Sequence, residues 1–368
     1  MNCLLCRANE TRVIGRRSDF APIGGYQEYV DRDIATFDRS IVACSSCGFQ
    51  FITSMYAGED FEALYGGPGY KRFIECVHLP ASEELLEGWR REFVELRVTD
   101  LLAQAGRKTR PTFLDIGCGL GRNMTVFSRL GFDVCGLDMN EAEAAHVRSK
   151  LGFPVHNETL ESFAKTKPTF DCILASHFIE HVADPHDFFE IVLGMLAPNG
   201  MLLIETPLAN DYAHHAERYR DVYHTLFFDH FTLALLGAMH GAPAARMQNK
   251  LFFLTESASF NLYLQVCYQR SPDGKEKAQE LARTLAKGDR TVLRAGRSAY
   301  DGLMPDSLNW ARSHLRVGSC VPLETAVWQA LEERSGARRL YNETLSQFRV
   351  ARVAKRMYWR VKRKVLPR

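Results

Sequence analysis

The chain has 368 residues, of which 46% are hydrophobic and 24% are charged, and its formal net charge at pH 7 is +2. This composition is typical of a globular protein with a sizeable core, and the length accommodates two or three domains. The near-neutral charge argues against nucleic acid as a partner of the whole chain. No run approaches about 18 consecutive apolar residues, and the N-terminus lacks the apolar core of a signal peptide, so we expect a cytoplasmic protein.

Two Cys-x-x-Cys pairs occur in the first fifty residues: Cys3 with Cys6, and Cys44 with Cys47. Apolar runs at 41–43 and 49–52 flank the second pair, which places it at the tip of a predicted hairpin. Each pair offers two thiolates, and four thiolates suit a closed tetrahedral Zn²⁺ site. We therefore predict a structural zinc ribbon over residues 1–60. A set of thiols without metal is the alternative.

Residues 61–110 are predicted to be a linker and a lead-in helix. The stretch 57–80 is irregular and rich in glycine, which indicates a linker or a mobile cover. Apolar residues then recur at helical spacing over 82–105.

The pattern over residues 111–140 predicts, in order, a strand, a glycine turn, a helix and a second strand that ends in an acid. The first apolar run contains Asp115, and three glycines follow it at once: Gly117, Gly119 and Gly121. Asp138 ends the second run, about twenty residues after the first glycine, where an acid accepts hydrogen bonds from ribose hydroxyls. A dinucleotide fingerprint needs a glycine where Arg122 stands. The stretch therefore predicts a nucleotide-cofactor site of another class.

Downstream, helical and apolar segments alternate as in an α/β sheet protein. We predict a helix at 141–151, strands at 153–155 and 170–176, a helix at 185–196 and a strand at 201–204. Two final strands are predicted near 250–255 and 261–268.

The motifs FLDIGCGLGRN, GLDMN, FDCILASHFIEHVADP, LAPNGMLLIETP and HTLFFDHFTLALLGAMHGA resemble those of class I S-adenosylmethionine (SAM) methyltransferases of the ubiquinone-biosynthesis O-methyltransferase type. With the N-terminal cysteine pairs, the chain is similar to bacterial methyltransferases that modify sugars and surface glycans. The resemblance implies a Rossmann-like, doubly wound, seven-stranded sheet with a methyltransferase domain over 111–270. It also implies SAM at the carboxyl ends of the first two strands.

Carried onto this chain, the resemblance implies cofactor binding by Asp115, Gly117, Gly119, Gly121 and Asp138, and a cofactor-facing position for Ser176 and His177. Met139, Glu158 and Ser176 are also predicted to bind the cofactor. Glu158 is expected to accept a hydrogen bond from the adenine amino group, and a solvated loop acid is the alternative.

Three histidines are the candidate catalytic residues: His177, His181 and His224. Methyl transfer from a sulfonium is an in-line displacement, and a base assists it when the acceptor is a hydroxyl. A structural imidazole is the alternative for each. Enzymes of the ubiquinone type carry an E-x-x-E-H triplet that resembles a divalent-metal site. Here His177 replaces the first acid, which disfavours Mg²⁺.

Residues 271–368 are predicted to form a helical extension. Its last segment, 348–368, carries nine Lys or Arg and no acid, with apolar residues at helical spacing. This pattern predicts an amphipathic helix that contacts the inner face of a membrane or a phosphate-rich acceptor. A self-packed terminal helix is the alternative.

Taken together, the sequence predicts a SAM-dependent methyltransferase that O-methylates a small-molecule, sugar or surface-glycan-type acceptor. C-methylation of a nucleotide sugar, RNA methylation and a non-enzymatic SAM-binding interaction module are the alternatives. The strand exit at 175–178 lacks the N-P-P-Y sequence that grips a flipped base, so a nucleic-acid substrate is disfavoured.

Overall fold

The computed structural model describes residues 1–17, 39–53, 110–209, 224–254, 259–270, 272–314 and 320–322. These residues form an eight-stranded sheet flanked by helices and a smaller four-stranded sheet that carries the N-terminal cysteines. The predicted lead-in helix at 82–105 and the basic segment 348–368 lie outside the described residues. Among the residues described, no helix is long and apolar enough to cross a membrane.

The large sheet has the strand order β12-β10-β11-β8-β7-β4-β5-β6. Its strands are β4 (Thr112–Ile116), β5 (Asp133–Leu137), β6 (Val155–His156), β7 (Phe170–Ser176), β8 (Leu196–Pro207), β10 (Ala244–Leu254), β11 (Ser259–Gln269) and β12 (Cys320–Pro322). Neighbours from β6 to β8 pair in parallel, whereas β11 is antiparallel to both β8 and β10. The chain order reverses at β4, which creates the crevice where open α/β sheets bind ligands.

The helices are α1 (Arg122–Arg129), α2 (Glu141–His146), α3 (Leu160–Ala164), α4 (Pro185–Gly194), α5 (His230–Met239), α6 (Gly274–Ala286) and α7 (Thr291–His314). Short polar side chains cap the N-termini of several of these helices. Asn140, Thr159 and Asp184 each accept a backbone N–H of the first turn of α2, α3 and α4. The caps end each βα loop at the carboxyl edge of the sheet.

The predicted doubly wound sheet is confirmed, and several of its elements differ in extent from their predicted bounds. An eighth strand, β12, pairs with β10 at the edge. Strand β8 begins at Leu196 rather than 201, with a register irregularity between Phe170 and Cys172 of its partner. The helix predicted at 141–151 becomes a π-helical turn from Val147 and ends at Gly152, whose φ is 73°. The two strand differences reflect pairing with strands elsewhere in the chain.

The small sheet contains β1 (Thr11–Arg17), β2 (Arg39–Cys44), β3 (Gln50–Ile52) and β9 (Leu226–Phe227), in that order. Strands β2 and β3 form the predicted hairpin around Cys44 and Cys47. We call the described residues 1–17 and 39–53 the cysteine module. Its fourth strand, β9, comes from the segment after β8, and β3 pairs with it antiparallel.

One hydrophobic core joins the cysteine module to the large sheet. It contains Leu5 and Phe51 of the module together with Ile204 and Phe228. The ring centroids of Phe49 and Phe228 lie 5.0 Å apart, and both side chains are fully buried. Because burying one such ring stabilises the fold by about 1.5–3 kcal/mol, the two sheets stabilise each other.

Helix α7 also packs on this junction. Arg297 donates a hydrogen bond to Asp229 at 2.5 Å, and its Cζ lies 5.0 Å from the centre of the Tyr300 ring. Nη2 of Arg294 donates to both carboxylate oxygens of Glu10 in the cysteine module, at 2.7 and 2.8 Å. The described part of the extension therefore contacts both the module and helix α5.

Candidate cofactor and acceptor site

The glycine loop follows β4 at the crevice. Gly117, Gly119 and Gly121 have φ values of 67°, 50° and 71°, which disfavour residues with a side chain. A Cβ at Gly117 would lie 2.9 Å from the Phe178 ring, and one at Gly121 would lie 2.9 Å from Leu151. Gly117 is exposed, so the loop presents bare backbone to the crevice.

Asp138 terminates β5 beside this loop. Its two carboxylate oxygens accept backbone N–H groups from Gly119 and Asn140, each at 2.8 Å. Burial and the nearby Glu143 raise the pKa of Asp138 to about 7, despite these hydrogen bonds. The acid predicted to bind ribose thus also fixes the glycine loop.

Asp115 is fully buried at the end of β4. Among the described residues, neither carboxylate oxygen has a partner within hydrogen-bond geometry. Burial raises the pKa of Asp115 well above its usual value, and the neighbouring Asn123 opposes that rise. A buried acid without a donor is costly, so this position fits a ligand that carries N–H groups, as the amino group of SAM does.

The remaining predicted cofactor residues occupy the same edge of the sheet. Glu158 accepts a hydrogen bond from Ser162 at 2.7 Å, which leaves its second oxygen 3.7 Å from His156. Ser176 donates to Glu205 at 3.1 Å, and Met139 is half-buried. Their roles toward the cofactor stay predictions.

The three predicted catalytic histidines meet around one carboxylate, that of Glu180. Oε1 of Glu180 lies 3.3 Å from Nδ1 of His177 and 3.9 Å from Nε2 of both His181 and His224. The rings of His181 and His224 are 4.9 Å apart. Thr206 donates to the other oxygen of Glu180 at 3.0 Å. We call Glu180, His177, His181 and His224 the Glu180 cluster.

The Glu180 cluster neighbours the glycine loop. Strands β4 and β7 are paired, with Ile116 opposite Ala175, so Gly117 and His177 leave adjacent strands at the same edge. The close approach of Phe178 to Gly117 connects the two features directly. The Glu180 cluster therefore lies at the same edge of the sheet as the glycine loop.

His177 differs from the other two histidines. Its Nε2 atom lies 3.3 Å from Glu205, and its φ of 52° is unusual for a residue with a side chain. Burial alone would lower its pKa, but hydrogen bonds with Glu180 and Glu205 outweigh burial and raise the pKa to about 9. A raised pKa favours the protonated imidazole, which would have to lose its proton before it acts as a base. The catalytic roles of His177, His181 and His224 stay predictions.

A buried polar row, which the sequence analysis did not identify, continues from the Glu180 cluster across the sheet. Gln265 donates to Glu205, and Gln248 donates to Gln265 at 2.6 Å. The three residues are opposite one another on β8, β11 and β10, and all are buried. In the sequence, such a row is indicated by polar residues within otherwise apolar strands.

The four cysteines of the two pairs lie close together. The Sγ atoms of Cys3 and Cys47 are 3.7 Å apart, those of Cys6 and Cys44 are 3.6 Å apart, and all four residues are buried. Zinc–sulfur bonds of about 2.3 Å in a tetrahedron give sulfur–sulfur distances of about 3.8 Å. Contact with Cys3 raises the pKa of Cys47 and lowers that of Cys44. The donor set and its spacing fit a closed zinc site.

A second group of metal-ligand side chains is present in the Glu180 cluster. One ligand atom each from Glu180, His181 and His224 lies within 4.8 Å of the others. This set differs from the triplet that the sequence indicated, because His224 takes the place of His177. Two imidazoles and one carboxylate suit a borderline transition metal better than Mg²⁺.

Comparison with known proteins agrees with this geometry. Residues 87–240 match the family model described as a methyltransferase domain. The ubiquinone biosynthesis O-methyltransferase of Parvibaculum lavamentivorans is 34% identical over 126 residues, which cover 32% of this chain and 50% of that protein. The enzyme of the same name from Caulobacter sp. strain K31 is 36% identical over 101 residues, 25% of this chain and 39% of that protein. The chain thus spans half or less of the length of these relatives.

Solved structures are similar at lower identity. A 1,6-didemethyltoxoflavin-N1-methyltransferase from Burkholderia thailandensis is 16% identical, covers 66% of this chain and 98% of its own, and has a TM-score of 0.44. Magnesium protoporphyrin IX methyltransferase from Synechocystis PCC 6803 is 11% identical, with 58% and 100% coverage and a TM-score of 0.43. The family match assigns a methyltransferase domain to residues 87–240, and the strand order of the large sheet is that of a doubly wound α/β fold.

Proposed function

We propose that this chain is a SAM-dependent O-methyltransferase. The observation that carries the proposal is the pair of imidazoles, His181 and His224, held at Glu180 one strand away from the glycine loop. In the proposed reaction, one imidazole accepts the hydroxyl proton while the acceptor oxygen attacks the methyl carbon. Bound SAM would supply the methyl group from its sulfonium and would leave as the neutral thioether.

The residues around the loop suit the methyl donor. Asp138 would accept hydrogen bonds from the ribose hydroxyls, Asp115 would face the amino group of SAM, and Glu158 would accept from the adenine amino group. Met139 and Ser176 would line the same crevice. Bound SAM supplies an activated methyl group, and the chain orients it and excludes water.

For the acceptor, we propose a hydroxyl of a sugar or surface-glycan-type compound. The buried polar row of Glu205, Gln265 and Gln248 supports a hydroxyl-rich ligand, because polar side chains at fixed positions orient such ligands. The relatives named for ubiquinone biosynthesis favour a second candidate, an acceptor of that pathway. Both candidate acceptors would be methylated on a hydroxyl oxygen, and the same histidine base would accept the proton in each case.

We further propose that the four cysteines hold one structural Zn²⁺. Four buried thiols with tetrahedral spacing support this assignment. Bound zinc would neutralise two of the thiolate charges and cross-link the two knuckles of the cysteine module.

The basic segment 348–368 supports a proposal about location, namely contact with the inner face of an anionic membrane. Co-sedimentation with anionic vesicles should remove the full chain from solution, more strongly at low salt, and should fail for a chain truncated after residue 344. Equal sedimentation of both forms would contradict the proposal.

The function is tested by calorimetric SAM binding followed by incubation with methyl-labelled SAM. The acceptors are a panel of nucleotide sugars, lipid-linked glycans, ubiquinone-pathway compounds and RNA, with mass analysis of each product. We expect label on oxygen of one acceptor class. Label on carbon, or on RNA, would contradict O-methylation of a small acceptor. SAM binding without transfer to any acceptor would favour a SAM-binding interaction module instead.

A further inference from the structure

We propose that the cysteine module is a positioning element for the Glu180 cluster. It holds in place the two chain segments, 179–184 and 224–228, that bring His181 and His224 to Glu180. This inference rests on the proposed function, because it takes the Glu180 cluster as the acceptor site. It assigns the module a role inside the reaction centre rather than at a separate surface.

The first connection runs through strand β9. The backbone N–H of Ile52, at the end of β3, donates to the carbonyl of Thr225 at 2.9 Å. The N–H of Thr225 in turn donates to the carbonyl of Glu180 at 2.9 Å, and its hydroxyl approaches the same carbonyl at 3.3 Å. Thr225 is fully buried and follows His224 directly. Thr225 therefore couples the module to Glu180 and sets the position of the adjacent imidazole.

Strand β9 depends on the cysteine module for its conformation. It contains two residues, and a strand this short is not stable without sheet partners. Its pairing is with β3, where Phe51 lies opposite Leu226. The next residue, Phe228, packs its ring on Phe49 of the module. Loss of the module would remove these contacts beside His224, whereas the bridge of Phe228 to Leu208 and the bond of Thr225 to Glu180 would remain on this segment.

The second connection runs from the first Cys-x-x-Cys pair to the segment that follows His181. Arg7 forms an ion pair with Asp184 at 2.6 Å, and Asp184 caps helix α4. Nε2 of His186 lies 2.7 Å from the carbonyl of Leu5, while its Nδ1 lies 2.9 Å from Nε2 of His240. Leu5 and Arg7 flank Cys6, so the first knuckle contacts this segment directly.

A role in recruiting a partner would not require these contacts. A recruiting module needs an accessible surface and a flexible tether, whereas the contacts at Thr225 and Leu5 are buried. The module touches both segments that carry the cluster, one through β3 and one through the first knuckle. This double contact is what a positioning role requires.

The test uses full-length variants that keep all four cysteines. Arg7→Gly removes the ion pair at a residue whose φ is 58°, which glycine adopts without strain. Thr225→Val removes the hydroxyl and keeps the N–H, and Thr225→Ser restores the hydroxyl. Ile14→Ala, at an exposed residue of β1, is the matched control in the same module.

Two readouts report on the cluster without an acceptor. Carbethoxylation by diethyl pyrocarbonate measures the reactivity of His181 and His224, with the exposed His156 as internal reference. Hydrogen exchange compares peptides 177–184 and 224–229 with the core strands at 112–116 and 170–175. For the double variant Arg7→Gly/Thr225→Val, we expect about fivefold or greater increases at His181, His224 and both site peptides. The core strands, His156 and SAM affinity should change by less than about twofold.

The variant Arg7→Gly/Thr225→Ser should show rates between those of the double variant and wild type, and Ile14→Ala should match wild type. Unchanged reactivity at His181 and His224 would overturn the inference. An equal rise in all peptides would also overturn it, because it would show global destabilisation rather than positioning. Failure of the wild-type chain to bind SAM would contradict the proposed function and leave the exchange result interpretable.

Discussion

Nε2 of His224 lies 3.9 Å from Oε1 of Glu180, although strand β9 and the turn after β7 are far apart in the chain. This distance is longer than a hydrogen bond. A small shift of the imidazole ring would shorten it, as happens to catalytic contacts when substrate binds. Because Glu180 stays ionised, it would stabilise the imidazolium that forms when the histidine accepts a proton. Burial would raise the pKa of Glu180, but His177, His181 and His224 lower it to about 2.

Glu180→Gln should lower the rate of methyl transfer by about 10²–10³-fold and leave SAM affinity within about twofold. Glutamine preserves the shape and still accepts from Thr206, but it removes the charge that stabilises the imidazolium. Single-turnover kinetics with labelled SAM measure the effect, and the exposed Glu161→Gln serves as control. Full activity of the Glu180 variant would contradict the role of this carboxylate.

Stability should depend on pH through His177. Its folded pKa of about 9 lies above the reference value of 6.5, so its contribution is complete below about pH 6.5 and disappears as pH rises through about 9. About a third of the side chain is exposed, which reduces the contribution to about 1–2 kcal/mol. Denaturation at pH 6.5 and 9.5 should show this loss in wild type and not in His177→Gln. An equal loss of stability between the two pH values in wild type and in His177→Gln would contradict the pairing of His177 with Glu180 and Glu205.

Asp138→Asn should weaken SAM binding by about 10–100-fold. The change removes the charge that strengthens hydrogen bonds to ribose and to the N–H groups of Gly119 and Asn140. Calorimetry measures the affinity. Asp133→Asn, at an exposed acid of the same strand, is the matched control and should bind SAM as wild type does. Equal affinity of the Asp138 variant would remove Asp138 from the cofactor site.

Metal analysis should find one zinc ion bound per chain at the four cysteines. Cys44→Ser should abolish it and lower the melting temperature, because metal binding stabilises the folded module. Cys135→Ser, at a cysteine outside the cluster, should keep the zinc. A folded wild-type chain without zinc would contradict the proposed site. Zinc bound in the Cys44 variant would instead indicate the Glu180, His181 and His224 set.

The glycine loop and its acids were predictable because their signals are local. Gly117 to Asp138 lie within one strand–helix–strand unit, where periodicity and glycine spacing report directly on conformation. The parallel strands were predictable for the same reason. The ends of the strands were less predictable, because β8 and β10 extend beyond their predicted bounds through pairing with strands elsewhere in the chain.

The acceptor side was only partly predictable because it is assembled from distant segments. The three histidines were identified by type, but their meeting at Glu180 depends on the contact of Thr225 with the carbonyl of Glu180. The pairing of β3 with β9 joins residues separated by more than 170 positions, and no local pattern encodes it. The raised pKa of His177 follows from Glu180 and from Glu205, and only the sheet places Glu205 beside it.

The most direct test of the account is methyl transfer by His224→Gln, measured with labelled SAM and the acceptor identified from the panel. We predict a rate at least about 10²-fold below wild type, unchanged SAM affinity, and wild-type transfer by the exposed control His156→Gln. Transfer by His224→Gln at the wild-type rate would contradict the assignment of this cluster as the acceptor site.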